Sequence, residues 1–162
     1  MMPSQPCWLP RLVTLQSFGG DLELYLNELY SIFVRDFVLP RPTFRRMPVG
    51  RKRHPISAGK DATFWHLIQE GRTEEERLPN LRRCERIGWP RAIIEHCEEP
   101  EIKVWENTRR RSPRVCLWLE DQEYLVVLAL RKSYALLWTA YPTTRGHTRR
   151  RLTMEYEESL KG

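Results

Sequence analysis

The chain has 162 residues, with 27 Lys plus Arg against 21 Asp plus Glu, a net charge of +6 and a pI of about 9.4. Folding at this length buries roughly 70% of the surface an unfolded chain exposes, so a single domain needs no disulfide or metal staple. Apolar residues at 41% and charged residues at 30% exclude a disordered chain and a membrane-embedded one, and the longest apolar run is Tyr124 to Leu130, well short of the roughly 20 residues a spanning helix needs.

In chain order, residues 1–20 read as an N-terminal arm, and 21–162 as one α+β domain. Asp21 follows the Gly19-Gly20 breaker as an N-cap. Leu22, Tyr25, Leu26, Leu29, Phe33 and Phe37 then recur at helical spacing, which predicts an amphipathic helix over 21–38 that ends before Pro40. Pro40 to Ser57 holds four prolines and many arginines and reads as an extended arm or irregular hairpin on the surface. Asp61 caps a short helix over 61–70, closed by Gly71. After a polar loop with Glu74, Glu75 and Glu76, a third helix spans 80–97, interrupted at Trp89-Pro90 and restarted with Pro90 in a first turn. The period then changes to that of strands, over 102–107, 114–120, 124–132 and 134–141, the last two joined by a turn near Lys132-Ser133 as an antiparallel hairpin. A helix over 148–160 follows. The expected architecture is a set of N-terminal helices, a four-stranded antiparallel sheet and a C-terminal helix, with the helices on one face of the sheet.

The four cysteines lie 77, 13 and 19 residues apart with no CxxC pair, a spacing that suits reduced thiols; Cys116 reads as a small core hydrophobe. Met1 to Pro10 lacks the basic and apolar regions of a secretory signal, which together with the thiols suggests a cytoplasmic protein. There is no HExxH, no Cys/His cluster and no phosphate-binding glycine loop, so no metal and no cofactor are expected.

Charge is the main functional signal. Of the 27 cations 22 are Arg, whose planar fork binds phosphate oxygens bidentately. Seven cations and no acid occupy Arg41 to Lys60, and four more occupy Arg145 to Arg151. The acids lie apart, at 74–76, 98–101, 120–123 and 155–158. Segregation of this kind marks a polyanion binder. Arg45, Arg46, Arg51, Lys52, Arg53, Arg145, His147, Arg149 and Arg150 are the candidate RNA contacts. Along the last strand, alternation sets Ala135, Leu137, Thr139 and Tyr141 on one side. A tight hairpin then brings Arg131 beside the Thr139 and Tyr141 hydroxyls, where the three can hold a phosphate. His66 and His54 are candidate proton carriers for metal-free phosphodiester cleavage. A solvated basic face, a plain β-branched Thr139 and structural histidines are the plainer readings of the same residues.

With these residues in view, the chain resembles the barnase/colicin/RelE-like ribonuclease superfamily. The strand "YALLWTAYP" at Tyr134 to Pro142 is similar to the "TAYP" final strand of its phage, colicin-type and contact-dependent toxins. The stretch "KRHPISAGKDATFWHLI" at Lys52 to Ile68 resembles a basic, histidine-bearing segment that supplies catalytic groups in some members. The resemblance implies a metal-independent endoribonuclease in which the 2′-hydroxyl attacks the adjacent phosphate. It places Thr139 and Tyr141 at the scissile phosphate, His66 or His54 in acid/base roles, and Lys60 and Arg131 on the phosphorane charge. A toxin or defence effector of this type also calls for RNA as substrate and for a neutralising antitoxin or immunity protein. Two other functions remain open. One is a non-catalytic RNA-binding or regulatory module that stacks a strand on Phe44, Phe64, Trp65 and Tyr141; the other is a subunit whose basic face docks on an acidic protein.

Overall fold

The computed structural model describes residues 4–71 and 77–162. The acidic loop expected at Glu74, Glu75 and Glu76 lies outside them.

Residues 4–20 pack onto the domain. Leu9 is buried, Val13 N–H donates to the Glu85 carbonyl at 2.9 Å, and Trp8 stacks on His96 with centroids 4.6 Å apart. After a 3-10 turn at Leu15–Phe18, Gly19 takes the left-handed conformation (φ 63°) that closes it. Helix α1 (Leu22–Phe37) starts at Asp21, whose carboxylate accepts the Leu24 N–H at 3.1 Å. Tyr25, Leu29, Phe33 and Phe37, spaced four residues apart, form its fully buried stripe.

The proline-rich stretch that reads as a surface arm supplies two strands of the sheet. β1 (Thr43–Phe44) and β2 (Met47–Gly50) form a hairpin, and Phe44 and Val49 plug the core. Helix α2 (Ala62–Ile68) buries Phe64, Leu67 and Ile68. β3 (Gln69–Glu70) and β4 (Leu78–Pro79) make a small separate pair. The expected 80–97 helix is two short ones, α3 (Leu81–Glu85) and α4 (Trp89–Glu95), and Pro90 does sit in the first turn of the second. β5 (Ile102–Arg109), β6 (Ser112–Leu119), β7 (Tyr124–Leu130) and β8 (Ala135–Pro142) form an antiparallel meander, and α5 (Gly146–Leu160) ends the chain.

The sheet therefore has six strands, in the order β1-β2-β8-β7-β6-β5, and is mixed because β2 runs parallel to β8. Four antiparallel strands account for only part of it. The sheet curls, so the β1–β2 turn reaches the far edge, where Arg45 Nη1 pairs with Glu106 of β5 at 3.4 Å. Nor are the helices confined to one face. β6 from Val115 onward and nearly all of β7 are buried and so need cover on both sides. Val115, Leu117, Val126, Leu128, Leu137 and Ala140 face α1, α2 and α4. Trp105, Cys116, Trp118, Leu125 and Val127 face the other way and are closed over by Leu152 and Tyr156 of α5. Burial pushes the Cys116 thiol up to about 12, so it behaves there as an apolar group. No helix among the described residues is long and apolar enough to cross a membrane.

Two hairpin turns of the six-stranded sheet carry strain. The β1–β2 loop is Arg45-Arg46 (φ 50° and 68°), and the β5–β6 loop is Arg110-Arg111 (φ 50° and 64°). Two-residue hairpin loops with both φ positive favour Asn-Gly, because a Cβ in that region costs about 1–2 kcal/mol per residue.

Asp61 occupies the N-cap position of α2 but makes no cap bond. Its carboxylate turns inward instead, to Arg51 Nε at 2.6 Å and to the Tyr30 hydroxyl at 3.3 Å. The Arg51 and Asp61 side chains are only 13% and 7% exposed. Asp61→Ala would strand the buried guanidinium. The expected loss of unfolding free energy is about 3 kcal/mol, read by urea denaturation at neutral pH.

Candidate nucleic-acid cleft

The segment between β2 and α2 is held at both ends. Arg51 pairs with Asp61, Lys52 N–H donates to Thr63 Oγ1 at 2.7 Å, and the Ala62 and Thr63 amides donate to the Arg53 and Lys52 carbonyls at 3.0 Å each. Trp65 Nε1 reaches across to the Ser57 carbonyl at 2.9 Å. The resulting loop, α2 and the first half of β8 enclose a cleft of about 730 Å³. Lys52, Trp65, His66, Arg77 and Trp138 line it together with Ser57, and no acid does so among the described residues.

Trp138 owes its place to a β-bulge. Val127 pairs with Thr139 but the next residue, Leu128, pairs with Leu137, which leaves Trp138 unpaired and 38% exposed. Bulges re-aim side chains in this way. The bulge also splits the face expected from strict alternation: Ala135, Leu137 and Ala140 enter the main core, whereas Thr139 and Tyr141 lie opposite Val127 and Leu125 on the α5 side.

The His66 imidazole is accessible from the cleft. Desolvation by the surrounding groups, then the positive charges of Arg77, Arg83 and Lys52, hold its pKa below the ordinary 6.5. It is therefore neutral at pH 7 and can accept a proton.

A second, smaller hollow of about 320 Å³ lies at the other end of β8, lined by Glu70, Asn80, Arg82, Arg83, Tyr141 and Arg145 among others. Tyr141 lies beneath the Arg83 guanidinium at 5.6 Å, and its hydroxyl accepts from Arg151 Nη2 at 3.4 Å. Arg83 Nη1 also donates to the His66 carbonyl at 3.4 Å, which ties the second hollow to α2.

The candidate residues are thus dispersed. Of the six proposed for catalysis, only His66 lines the large cleft. His54 is exposed on the loop beside Pro55. Lys60 lies over the Tyr30 ring at 5.8 Å, with Nζ donating to the Ala58 carbonyl at 3.5 Å. Tyr141 belongs to the second hollow, and Thr139 to the α5 face of the sheet. Arg131 is not beside these hydroxyls: its N–H bonds the Tyr134 carbonyl at the β7–β8 turn, about 15 Å from Thr139 at the usual strand rise of about 3.3 Å per residue.

Among the candidate RNA contacts, Lys52 lines the cleft and Arg53 is exposed next to it. Arg51 is not available to a ligand, because Asp61 consumes it. Arg45 and Arg46 tip the first hairpin, Arg145 pairs with Glu70 at 3.2 Å, Arg149 approaches Glu123 at 3.9 Å, and His147 and Arg150 are exposed on the first turns of α5. Phe44 and Phe64 are core residues, which leaves Trp65 and Tyr141 of the expected stacking set. Sequence reasoning missed Arg77, Arg83 and Trp138. The "FWH" run points to the cleft, but nothing local announces the bulge that exposes Trp138.

In comparisons with protein-family models, curated proteins and solved structures, nothing matches this chain.

His66 should titrate below 6.5 in an NMR pH series, and Arg77→Gln should move its midpoint upward. The sign for stability follows: the folded state binds this proton less readily than the unfolded chain, so its contribution to stability is lost as pH falls below about 6.5. A midpoint at or above that value would contradict the desolvated setting.

Proposed function

We propose that the protein binds RNA in the large cleft and cleaves it there as a metal-independent endoribonuclease. The observation that carries this reading is the convergence of a neutral, accessible imidazole with aromatic and cationic walls: His66 beside Trp65, Trp138, Lys52 and Arg77. An unstacked base laid on an indole of the cleft gains roughly 1–3 kcal/mol of stacking, and the cations take the flanking phosphates. His66 accepts the 2′-hydroxyl proton as that oxygen attacks phosphorus. The P–O5′ bond breaks, and the departing 5′-oxygen takes a proton from water. Lys52 and Arg77 oppose the extra negative charge of the phosphorane, a role worth about 3 kcal/mol of barrier for one well-placed donor. The toxin or defence role, with a neutralising partner, follows from the resemblance of the final strand.

The separation of Thr139, Tyr141 and Arg131 from His66 favours a second reading, in which the same cleft holds RNA without cutting it.

Incubation with cellular RNA in EDTA at neutral pH separates the two. Cleavage is expected to yield 2′,3′-cyclic phosphate and 5′-hydroxyl ends, and His66→Ala should lower its rate by about 10²-fold or more. Trp138→Ala should weaken binding about tenfold. RNA that is bound but recovered intact establishes the second reading, and RNA that is neither bound nor cut removes both.

A further inference from the structure

All three meander and hairpin turns that link β1 to β2, β5 to β6 and β7 to β8 fall at one end of the sheet. The register requires it: β2 runs parallel to β8 from Val49 opposite Ala135, while Arg114 of β6 lies opposite Ala129 near the end of β7. Arg131 Nη1 reaches Ser112 Oγ at 3.5 Å, which ties the third turn to the second, and Arg45 reaches Glu106, which ties the first to the same edge. These turns carry Arg45 and Arg46, Arg110 and Arg111, and Arg131 and Lys132, all exposed. Among the described residues only Arg45 of these six forms a salt bridge. The opposite end of the sheet, where β5 begins and β6 passes to β7, carries Glu98, Glu99, Glu101, Glu120, Asp121 and Glu123. That end is mixed, since Lys103 and Arg149 pair with Glu120 and Glu123, whereas cations dominate the turn end.

Two of the three basic tips are built at conformational cost. Arg45-Arg46 and Arg110-Arg111 both occupy the left-handed backbone region that Asn-Gly would fill without strain. Sparsely populated backbone conformations cluster at functional sites, and four of the six non-glycine residues with positive φ among the described residues are these arginines, the others being Ala58 and Glu123. Arg114 connects this rim to the cleft. Its guanidinium lies 4.8 Å over the Trp138 ring, and its Nε is buried without a partner. Desolvation, with Arg109, Arg110 and Arg131 nearby, lowers its pKa.

We propose that the turn end of the sheet is a phosphate-binding rim that grips the backbone of the RNA segment flanking the nucleotide held in the cleft. This inference rests on the reading of the cleft as an RNA site. Forked guanidinia suit phosphodiester oxygens, and contacts of this kind carry affinity without sequence preference. Arg114 stacks on Trp138, which lines the cleft, so a strand that passes Trp138 comes next to the rim.

The test is the quadruple variant Arg45→Asn, Arg46→Gly, Arg110→Asn, Arg111→Gly, in which both tips keep their turn geometry. Binding of a fluorescein-labelled stem-loop RNA and of a trinucleotide is measured across a salt series, with thermal unfolding alongside. The variant should bind the stem-loop at least tenfold more weakly, with a salt slope shallower by about 2 to 3. Trinucleotide binding should be unchanged, and the Tm should rise by about 3 °C or more as the strain is relieved. Loss of RNA affinity together with a rise in stability is an outcome that a purely structural role for the arginines would not produce. If the variant and the parent bind the stem-loop equally and with the same salt slope, the rim is overturned while the cleft reading stands. If the parent binds neither RNA, both fall, and binding of poly-glutamate instead would assign the rim to an acidic protein.

Discussion

The buried pair between Arg51 and Asp61 decides whether there is a cleft at all. Arg51 follows the last residue of β2 and Asp61 precedes the first of α2, so their contact clamps a loop of nine residues, from 52 to 60, into a fixed shape. Two charges leave water to form it, and such a pair is tolerable only when further hydrogen bonds share the load. The Tyr30 hydroxyl supplies one, and a lattice of backbone bonds around Lys52, Arg53 and Thr63 holds the rest of the chain in register. Behind it, Tyr30 and Phe33 pack on Phe64 with centroids 5.1 and 5.8 Å apart, so the polar clamp is backed by aromatic packing. The wall that presents Lys52, Trp65 and His66 is thus anchored both to the ion pair and to the aromatic core.

Much of the fold is legible in residue periodicity. The four-residue recurrence in α1 and the uninterrupted apolar run of β7 translate directly into a one-sided helix and a two-sided strand. What stays hidden is non-local. The prolines at 40, 42, 48 and 55 argue against strands, yet Phe44 and Val49 find a place in the core because β2 lies beside β8, more than eighty residues away in sequence. The position of α5 is likewise illegible from its own composition: it is strongly polar, and only Leu152 and Tyr156 reveal that it covers a sheet face.

The site divides the same way. Lys52 and His66 are visible because they lie close together in a basic, histidine-bearing segment, and α2 keeps them on one wall. Strict alternation sets Thr139 and Tyr141 on a common side, and they do share one, but the bulge at Trp138 reverses which side that is. Arg51 is read as a surface cation because its burial depends on an acid ten residues later. Arg110 and Arg111 escape notice because Glu106 and Glu120 flank them in sequence, although the strands carry Glu120 to the far end of the sheet. Runs of charge along a chain are poor guides where β-strands sort the charges by position along their axis.

The layer closed by α5 has a consequence for the order in which the molecule can be assembled. Trp105, Cys116, Trp118, Leu125 and Val127 belong to strands made before α5, yet the residues that cover them come after the last strand. During synthesis the sheet can pair and settle onto α1, α2 and α4 while its opposite face, with two tryptophans on it, is still bare. Until Leu152 and Tyr156 emerge and dock, that face is the sticky surface of the nascent chain, and the late helix acts as an internal chaperone for the strands that precede it.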